Sequence, residues 1–352
     1  MIRVALIGYG YAGRTFHTPL IRATPGFELS VVCSSRADRV HADLPDILVV
    51  PSPEDACVLP SVDLVVVATP HDSHLRLAAM ALRAGKHVAL EKPAATTLDE
   101  ARTLASIAQN AHGMLAVFHN RRWDGDFLAV SDVLSSAVLG EVSHFESHFD
   151  RFRPIVRDRW RERAGAGSGL WYDLGPHLVD QSLRLFGLPD RVTASLAAQR
   201  TGAQSDDWAH VILEYGRRRV ILHASVLVAA PPPRFAVHGN AGSLIKYGVD
   251  GQERRLIAAL TPDTAAAQPE EERAVLIDGI NGTTRDMPIP RGDYRQFYVQ
   301  LEIALRGSGA NPVPLAQALP VVAVVESAIR SSTERRSCTL PLTEAEILAF
   351  AN

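Results

Sequence analysis

Ile2-Arg3-Val4-Ala5-Leu6-Ile7-Gly8-Tyr9-Gly10-Tyr11-Ala12-Gly13 is the stretch on which the reading of this chain turns. A short, nearly continuous apolar run reads as a strand buried on both faces, and it ends in glycines. In such a loop Gly8 makes the tight turn and Gly10 lets backbone approach a pyrophosphate. Gly13 lets the following helix pack closely on the strand. Tyr9, Tyr11 and Ala12 fill the positions between them, and the helix N-terminus supplies N–H groups and positive potential to an anion. A glycine pattern alone could be a plain turn. With a strand before it and a helix after it, it reads as a dinucleotide-binding loop over Gly8–Gly13.

The following residues continue the alternation. Apolar runs at 28–33, 47–50, 63–68, 87–90 and 114–118 are separated by helix-type segments at 73–83 and 98–110. Strands of four to six residues alternating with helices are βαβ units on a parallel sheet. Past residue 120 the texture changes. After helix candidates at 127–136 and 178–186, runs of alternating polarity at 141–153, 192–198, 209–215, 220–228 and 235–238 predict a largely antiparallel sheet with one wet face. Two late helices are expected at 294–305 and 316–333, and an exposed loop at 261–272. The expected architecture is α/β: a Rossmann dinucleotide-binding domain over residues 1–120, then an α+β substrate-binding and oligomerisation domain over 121–352.

Composition narrows the function classes. The 352 residues carry 36 Lys and Arg against 39 Asp and Glu, a net charge of −3, so a nucleic-acid partner is not expected. A hydrophobic share of 47% and a charged share of 21% are those of an ordinary globular chain. Cys33, Cys57 and Cys338 are odd in number and widely spaced, which argues against a disulfide framework or a cysteine zinc site and suits a reducing cytoplasm. No apolar run suggests a signal peptide or a membrane span.

The second strand bears on cofactor choice. An NAD site usually places Asp or Glu about 20 residues past the glycine loop, on the ribose 2′-hydroxyl. Here the strand ends Val31-Val32-Cys33-Ser34-Ser35-Arg36. Ser35 and Arg36 would bind a 2′-phosphate that a carboxylate would repel, which favours NADP over NAD. Thr69 and Pro70 follow another strand at the carboxyl edge, where ligands sit in open α/β sheets. His74, at the next helix start, could reach the cofactor or serve as a structural contact.

Glu91-Lys92-Pro93 also ends a strand. A Lys there can hold a substrate hydroxyl and stabilise the developing alkoxide, with Pro93 stiffening the turn. In Tyr172-Asp173-Leu174-Gly175-Pro176-His177, Pro176 predicts a helix starting near itself, with His177 at the N-terminus, where positive potential favours the neutral imidazole of a base. Asp173 could orient that imidazole, or act as a cap beside a packed His. Segment 151–163 holds Arg151, Arg153, Arg157, Arg159, Arg161 and Arg163, readable as a substrate clamp or as a solvated loop paired with Asp150, Asp158 and Glu162. His119, Asn120, Arg121 and Trp123 follow the run at 114–118, on the crevice side. No His, Cys and carboxylate grouping has zinc spacing, so no metal is expected.

Together Gly8–Gly13, Glu91-Lys92-Pro93 and Asp173-x-Gly-x-His177 resemble the Gfo/Idh/MocA oxidoreductase family. Further stretches are similar to its NADP-dependent scyllo-inositol dehydrogenases: Phe16-His17, Val117–Asp124, Arg151–Pro154, Arg159–Glu162 and Ile245–Glu253. Pro176 departs from the pattern, standing where relatives more often carry Ser. The resemblance implies catalysis by Lys92, Asp173 and His177. Cofactor contacts would be the glycine loop, Ser35, Arg36, Thr69, Pro70, His74, Glu91, Lys92 and Asn120; substrate contacts would include Trp123 and Arg153. The substrate would be a cyclic polyol or sugar, and the assembly a homodimer or homotetramer through the outer face of the second sheet. An aldose dehydrogenase and a non-catalytic NADP sensor are the alternatives.

Overall fold

The computed structural model describes residues 1–267 and 273–351. Two compact units emerge, and neither is one stretch of chain. The first comprises Met1–Trp123, a segment starting at Gly251, and Asp293–Leu319. The second holds Asp124–Asp250, a segment ending at Gly292, and Pro320 onward. The chain passes from the first unit to the second at Asp124 and returns to the first twice.

In the first unit, β1 (Ile2–Ile7), β2 (Phe27–Cys33), β3 (Leu48–Val50), β4 (Leu64–Val67), β5 (His87–Glu91) and β6 (Leu115–Phe118) form one sheet in the order β3-β2-β1-β4-β5-β6. Every pairing is parallel. This is the doubly wound order, with its switch point beside β1. All four residues of β4 are fully buried, as a strand covered on both faces requires. The crossovers carry α1 (Thr18–Arg22), α2 (Ala37–Asp43), α3 (Pro53–Val58), α4 (His74–Arg83) and α5 (Leu98–Gln109). Ser52 caps α3 and Thr97 caps α5, each hydroxyl accepting the N–H three residues on.

The second unit opens with α6 (Gly125–Ser135), β7 (Val142–Asp150), α7 (Leu170–Phe186), β8 (Arg191–Ala197), β9 (Trp208–Tyr215), β10 (Arg218–Ser225), β11 (Phe235–Gly239) and β12 (Gly242–Tyr247). The chain next gives α8 (Gln252–Ile257) and α9 (Pro262–Ala267) to the first unit, and β13 (Arg273–Asp278) and β14 (Thr284–Met287) to the second. The eight-stranded sheet runs β14-β13-β12-β11-β7-β10-β9-β8; it is antiparallel except where β7 meets β10. Alternation decides its faces. Phe145 and Phe149 of β7, with Val220 and Leu222 of β10, enter the core against Trp171, Leu174 and Leu178 of α7. Their neighbours in sequence face the other way.

After β14 come α10 (Arg295–Leu305), α11 (Leu315–Glu334) and α12 (Glu344–Ala351). α10 returns to the first unit because it carries aromatic surface. Phe297 meets Phe118 edge-on and Tyr298 packs on it at a tilt, and Tyr298 also meets Phe27 and His17 edge-on. Such aromatic pairs contribute about 0.5–1.5 kcal/mol each beyond area burial. The loop expected over 261–272 is a helix in its first part, since Pro262 and Asp263 supply a normal helix start; residues 268–272 lie outside the described residues. Among the described residues no helix is long and apolar enough to cross a membrane.

Candidate functional site

The three loop glycines are glycine for three different reasons. Gly8 has φ +99°, and a Cβ there would lie 2.4 Å from the Ala68 carbonyl oxygen. A Cβ on Gly13 would lie 2.1 Å from the Gly8 carbonyl oxygen, so the helix can approach β1 only without a side chain. Around Gly10 a Cβ would meet nothing within 4 Å. The Gly10 backbone thus faces open space, which is what an approaching pyrophosphate needs. The loop runs directly into a turn of π-helix, Gly13–His17, and then α1.

The side chains between these glycines make contacts of their own. The Tyr9 hydroxyl donates to Asp43 at 3.2 Å, and burial together with that carboxylate pushes its pKa up to about 12. Arg14 also grips Asp43, at 2.6 and 2.9 Å. Tyr11 is half exposed, and its hydroxyl donates to Glu253 at 2.7 Å. Any cofactor contact by Tyr9 is therefore one of backbone. Ser35 and Arg36 are exposed beyond the end of β2, where Arg36 N–H donates to the Ser34 hydroxyl at the start of α2.

Thr69 and Pro70 follow β4, with the Thr69 hydroxyl 2.6 Å from that of Ser73. His74 makes structural contacts with both ring nitrogens. It is fully buried, with Nδ1 2.7 Å from the Pro93 carbonyl oxygen and Nε2 3.0 Å from that of Thr69. Burial pushes its pKa down despite both carbonyls, so the neutral ring donates to one of them. It ties the turn after β4 to the turn after β5.

That second turn carries Glu91, Lys92 and Pro93, and the Lys92–Pro93 peptide is cis. Glu91 is buried. Burial would raise its pKa, but the His17 hydrogen bond at 3.0 Å and the charges of His17 and Lys92 hold it below the usual range. Its other oxygen accepts the Lys92 backbone N–H at 3.1 Å. His17 Nδ1 stands 2.6 Å from the Tyr298 hydroxyl, completing a buried chain Glu91–His17–Tyr298. The Glu91 carboxylate thus braces the residue that presents Lys92, itself 8% exposed. Sequence reasoning had no means of finding Tyr298, which lies 281 residues from His17.

Residues after β6 divide in role. Arg121 is spent on Glu253 at 2.5 Å and on the Tyr294 hydroxyl, and Arg122 donates to Gln317 at 2.7 Å. His119 and Asn120 are buried, and the Trp123 ring packs on Phe297.

In the second unit, α7 starts at Leu170, six residues before Pro176. The expected start near Pro176 is wrong, and the reason lies far away in sequence. Asp206 accepts the Trp171 N–H on its carboxylate at 2.7 Å and the Leu170 N–H on its carbonyl at 2.8 Å, satisfying the first turn. Gly175 lets the helix continue close to the Trp171 ring, where a Cβ would come within 2.7 Å. His177 consequently sits inside the helix, not at its positive end, and the helix-terminus argument for its neutrality lapses. What replaces it is spacing: Asp173 and His177 are one turn apart on one face of one helix. His177 is buried, and Asp173 is half-buried beside Arg161, whose Nε stands 3.4 Å from Oδ1.

The arginine segment is partly paired. Arg163 binds Asp158 at 2.7 Å, and the Glu162 carboxylate pairs with the Arg200 guanidinium at 3.1 Å while accepting the Arg157 backbone N–H at 2.9 Å. Arg153 shares a small cavity with Arg151, Arg159, Arg161 and Asp173. Burial and the neighbouring guanidiniums pull its pKa down. Guanidiniums clustered beside Asp173 supply paired N–H donors of the kind that bind oxygen-rich groups. Asp150, expected as an arginine partner, sits elsewhere, between two histidines.

Residues 2–119 match the model of an oxidoreductase family with an NAD-binding Rossmann fold, and residues 127–245 match the GFO/IDH/MocA C-terminal domain. The chain is 49% identical to the uncharacterized oxidoreductase YdgJ of Escherichia coli (strain K12), over 96% of this chain and 99% of that one. It is 38% identical to the scyllo-inositol 2-dehydrogenase (NADP(+)) IolW of Bacillus subtilis (strain 168), over 96% of each. A crystal structure of an oxidoreductase from Klebsiella pneumoniae superposes with a TM-score of 0.93 at 47% identity, covering 99% of this chain and 98% of that one.

Two predictions follow from this geometry. Gly13→Ala should destabilise the first unit by several kcal/mol, because backbone must move, whereas Gly10→Ala should change stability by less than about 1 kcal/mol. Urea denaturation of both variants decides; equal losses would contradict the assignment. Burial of Asp206 raises its pKa from 3.8 to about 6, only partly offset by the α7 N–H groups. Its share of stability is then present below pH 3.8 and lost as pH rises through about 6. Asp206→Asn should therefore gain on the wild type between pH 4 and 7 in thermal denaturation; a pH-independent gap would refute the raised pKa.

Proposed function

Because the chain belongs to the Gfo/Idh/MocA oxidoreductase family, we propose that it oxidises a secondary alcohol of a cyclic polyol, scyllo-inositol, with NADP as cofactor. The observation that carries this is the pair Asp173 and His177 one turn apart on a buried helix, in a chain that also presents Lys92 beyond β5. NADP, when bound, supplies the nicotinamide ring that accepts a hydride from the carbinol carbon. Gly8, Gly10 and Gly13 hold its pyrophosphate, and Ser35 and Arg36 its 2′-phosphate. Thr69, Pro70 and Asn120 lie among its further contacts. Lys92 steadies the substrate oxygen as negative charge develops there. His177 takes the hydroxyl proton, and Asp173 orients the hydroxyl and the imidazole. The products are a ketone, the reduced cofactor and a protonated His177.

A neutral polyol is recognised through hydrogen bonds, for which Trp123 and Arg153 are further candidates. A site built to pair one hydroxyl discriminates steeply when that hydroxyl changes place, because polar groups are left unmatched. The reading includes a cytoplasmic location and a homodimer or homotetramer.

Catalytic efficiency should favour NADP over NAD by at least about tenfold, or ~1.4 kcal/mol. Steady-state kinetics with both cofactors measures it, and an NAD preference would sink the Ser35–Arg36 argument. His177→Ala should lower turnover by roughly 10²–10⁴-fold while leaving NADP affinity nearly intact. Near-normal turnover in that variant would return His177 to the status of a packed core residue. Across a panel of inositols, aldoses and their keto forms, scyllo-inositol should be oxidised faster than myo-inositol or glucose, read by NADPH absorbance. Activity confined to aldoses would discard the inositol assignment, and tight NADP binding without turnover would favour a sensor.

A further inference from the structure

On the face of the second sheet that turns away from α7, three histidines form a row. Strand register pairs His148 of β7 with His223 of β10, and His223 with His210 of β9. Asp150 lies two residues beyond His148, on the same face of β7. Its side chain is 1% exposed, and neither carboxylate oxygen has a hydrogen-bond partner. A buried carboxylate left in that condition is costly unless a cation answers it.

The atoms around Asp150 have the spacing of ligands. His148 Nδ1 stands 3.4 Å from Oδ2, and His223 Nε2 stands 3.6 Å from Oδ1. One ligand atom from each of the three residues fits within 4.8 Å of the others. Two donors each about 2.1 Å from an ion at the tetrahedral angle stand about 3.4 Å apart. The far nitrogens of both rings are already held. His148 Nε2 meets Glu146 at 2.9 Å, and Glu146 also binds His144 at 2.7 Å. His223 Nδ1 meets His210 Nδ1 at 3.3 Å. Metal-bound histidines characteristically have the other ring nitrogen fixed in this way, often by a carboxylate.

We propose that His148 Nδ1, Asp150 and His223 Nε2 form a site for one divalent transition-metal ion of the zinc type. Two imidazoles and one carboxylate suit zinc or cobalt; magnesium and calcium prefer all-oxygen sets. Three protein ligands leave a position for water. The ion would clamp β7 to β10, the one parallel pair of this sheet. The site is separate from Asp173 and His177, which lie on α7, against the opposite face.

The test uses the full-length, tag-free chain freed of metal with a chelator and titrated with zinc chloride by calorimetry. About one ion should bind per chain, and His223→Ala and Asp150→Asn should each weaken binding by at least about tenfold. His210→Gln, which disturbs only the outer contact, should weaken it by about tenfold. Circular dichroism confirms that each variant folds. The wild-type chain with cobalt gives a reading that needs no variant: intense visible d–d bands of a four-coordinate ion support the site. A spectrum like that of hydrated cobalt, no saturable zinc binding, or zinc binding untouched by His223→Ala and Asp150→Asn overturns it.

Discussion

Parallel pairing of β1 with both β2 and β4 is the constraint from which the first unit takes its chemistry. In an antiparallel sheet, successive strand ends alternate between edges. Here every strand runs the same way, so the residues just past β1, β2, β4, β5 and β6 share one edge. That edge receives Gly8, Ser35, Thr69, Lys92 and His119 from stretches spread over more than 100 residues. Reversal of strand order on either side of β1 opens a crevice there. The glycine loop can enter it only because Gly8 and Gly13 lack side chains.

Around that edge, buried polar groups support one another. Glu91 is charged in a buried place because His17 and the Lys92 backbone answer it, and Tyr298 in turn answers His17. His74 spans from Thr69 to Pro93. Lys92 thus stands on a turn braced by the Glu91 carboxylate and by His74. Pre-organisation of this kind lets a charged group act without first rearranging.

Much of the first unit was legible because its signals are local. The apolar runs, the glycine spacing and the Lys after a strand each declare themselves within a few residues. The returns of the chain to that unit were not legible, since Phe297 and Tyr298 reveal their place only through Phe118 and Phe27. The start of α7 was misread for the same kind of reason. Pro176 and Gly175 look like a helix boundary locally, whereas Asp206, 35 residues from Trp171, satisfies the true N-terminus. Asp173 and His177 come one turn apart on one face only because α7 already starts at Leu170, a relation that a helix beginning near Pro176 would not have given. The row of His148, His223 and His210 has no linear spacing to betray it; only strand register assembles it.

The central claim is that a hydride leaves a ring carbon of the polyol for the nicotinamide while protein groups manage the proton. Scyllo-inositol deuterated at its ring carbons, incubated with the protein and NADP, tests it by mass spectrometry of the reduced cofactor. The account predicts NADPH carrying one deuterium per molecule of ketone formed. Reduced cofactor without deuterium, or no reduced cofactor at all, would contradict it.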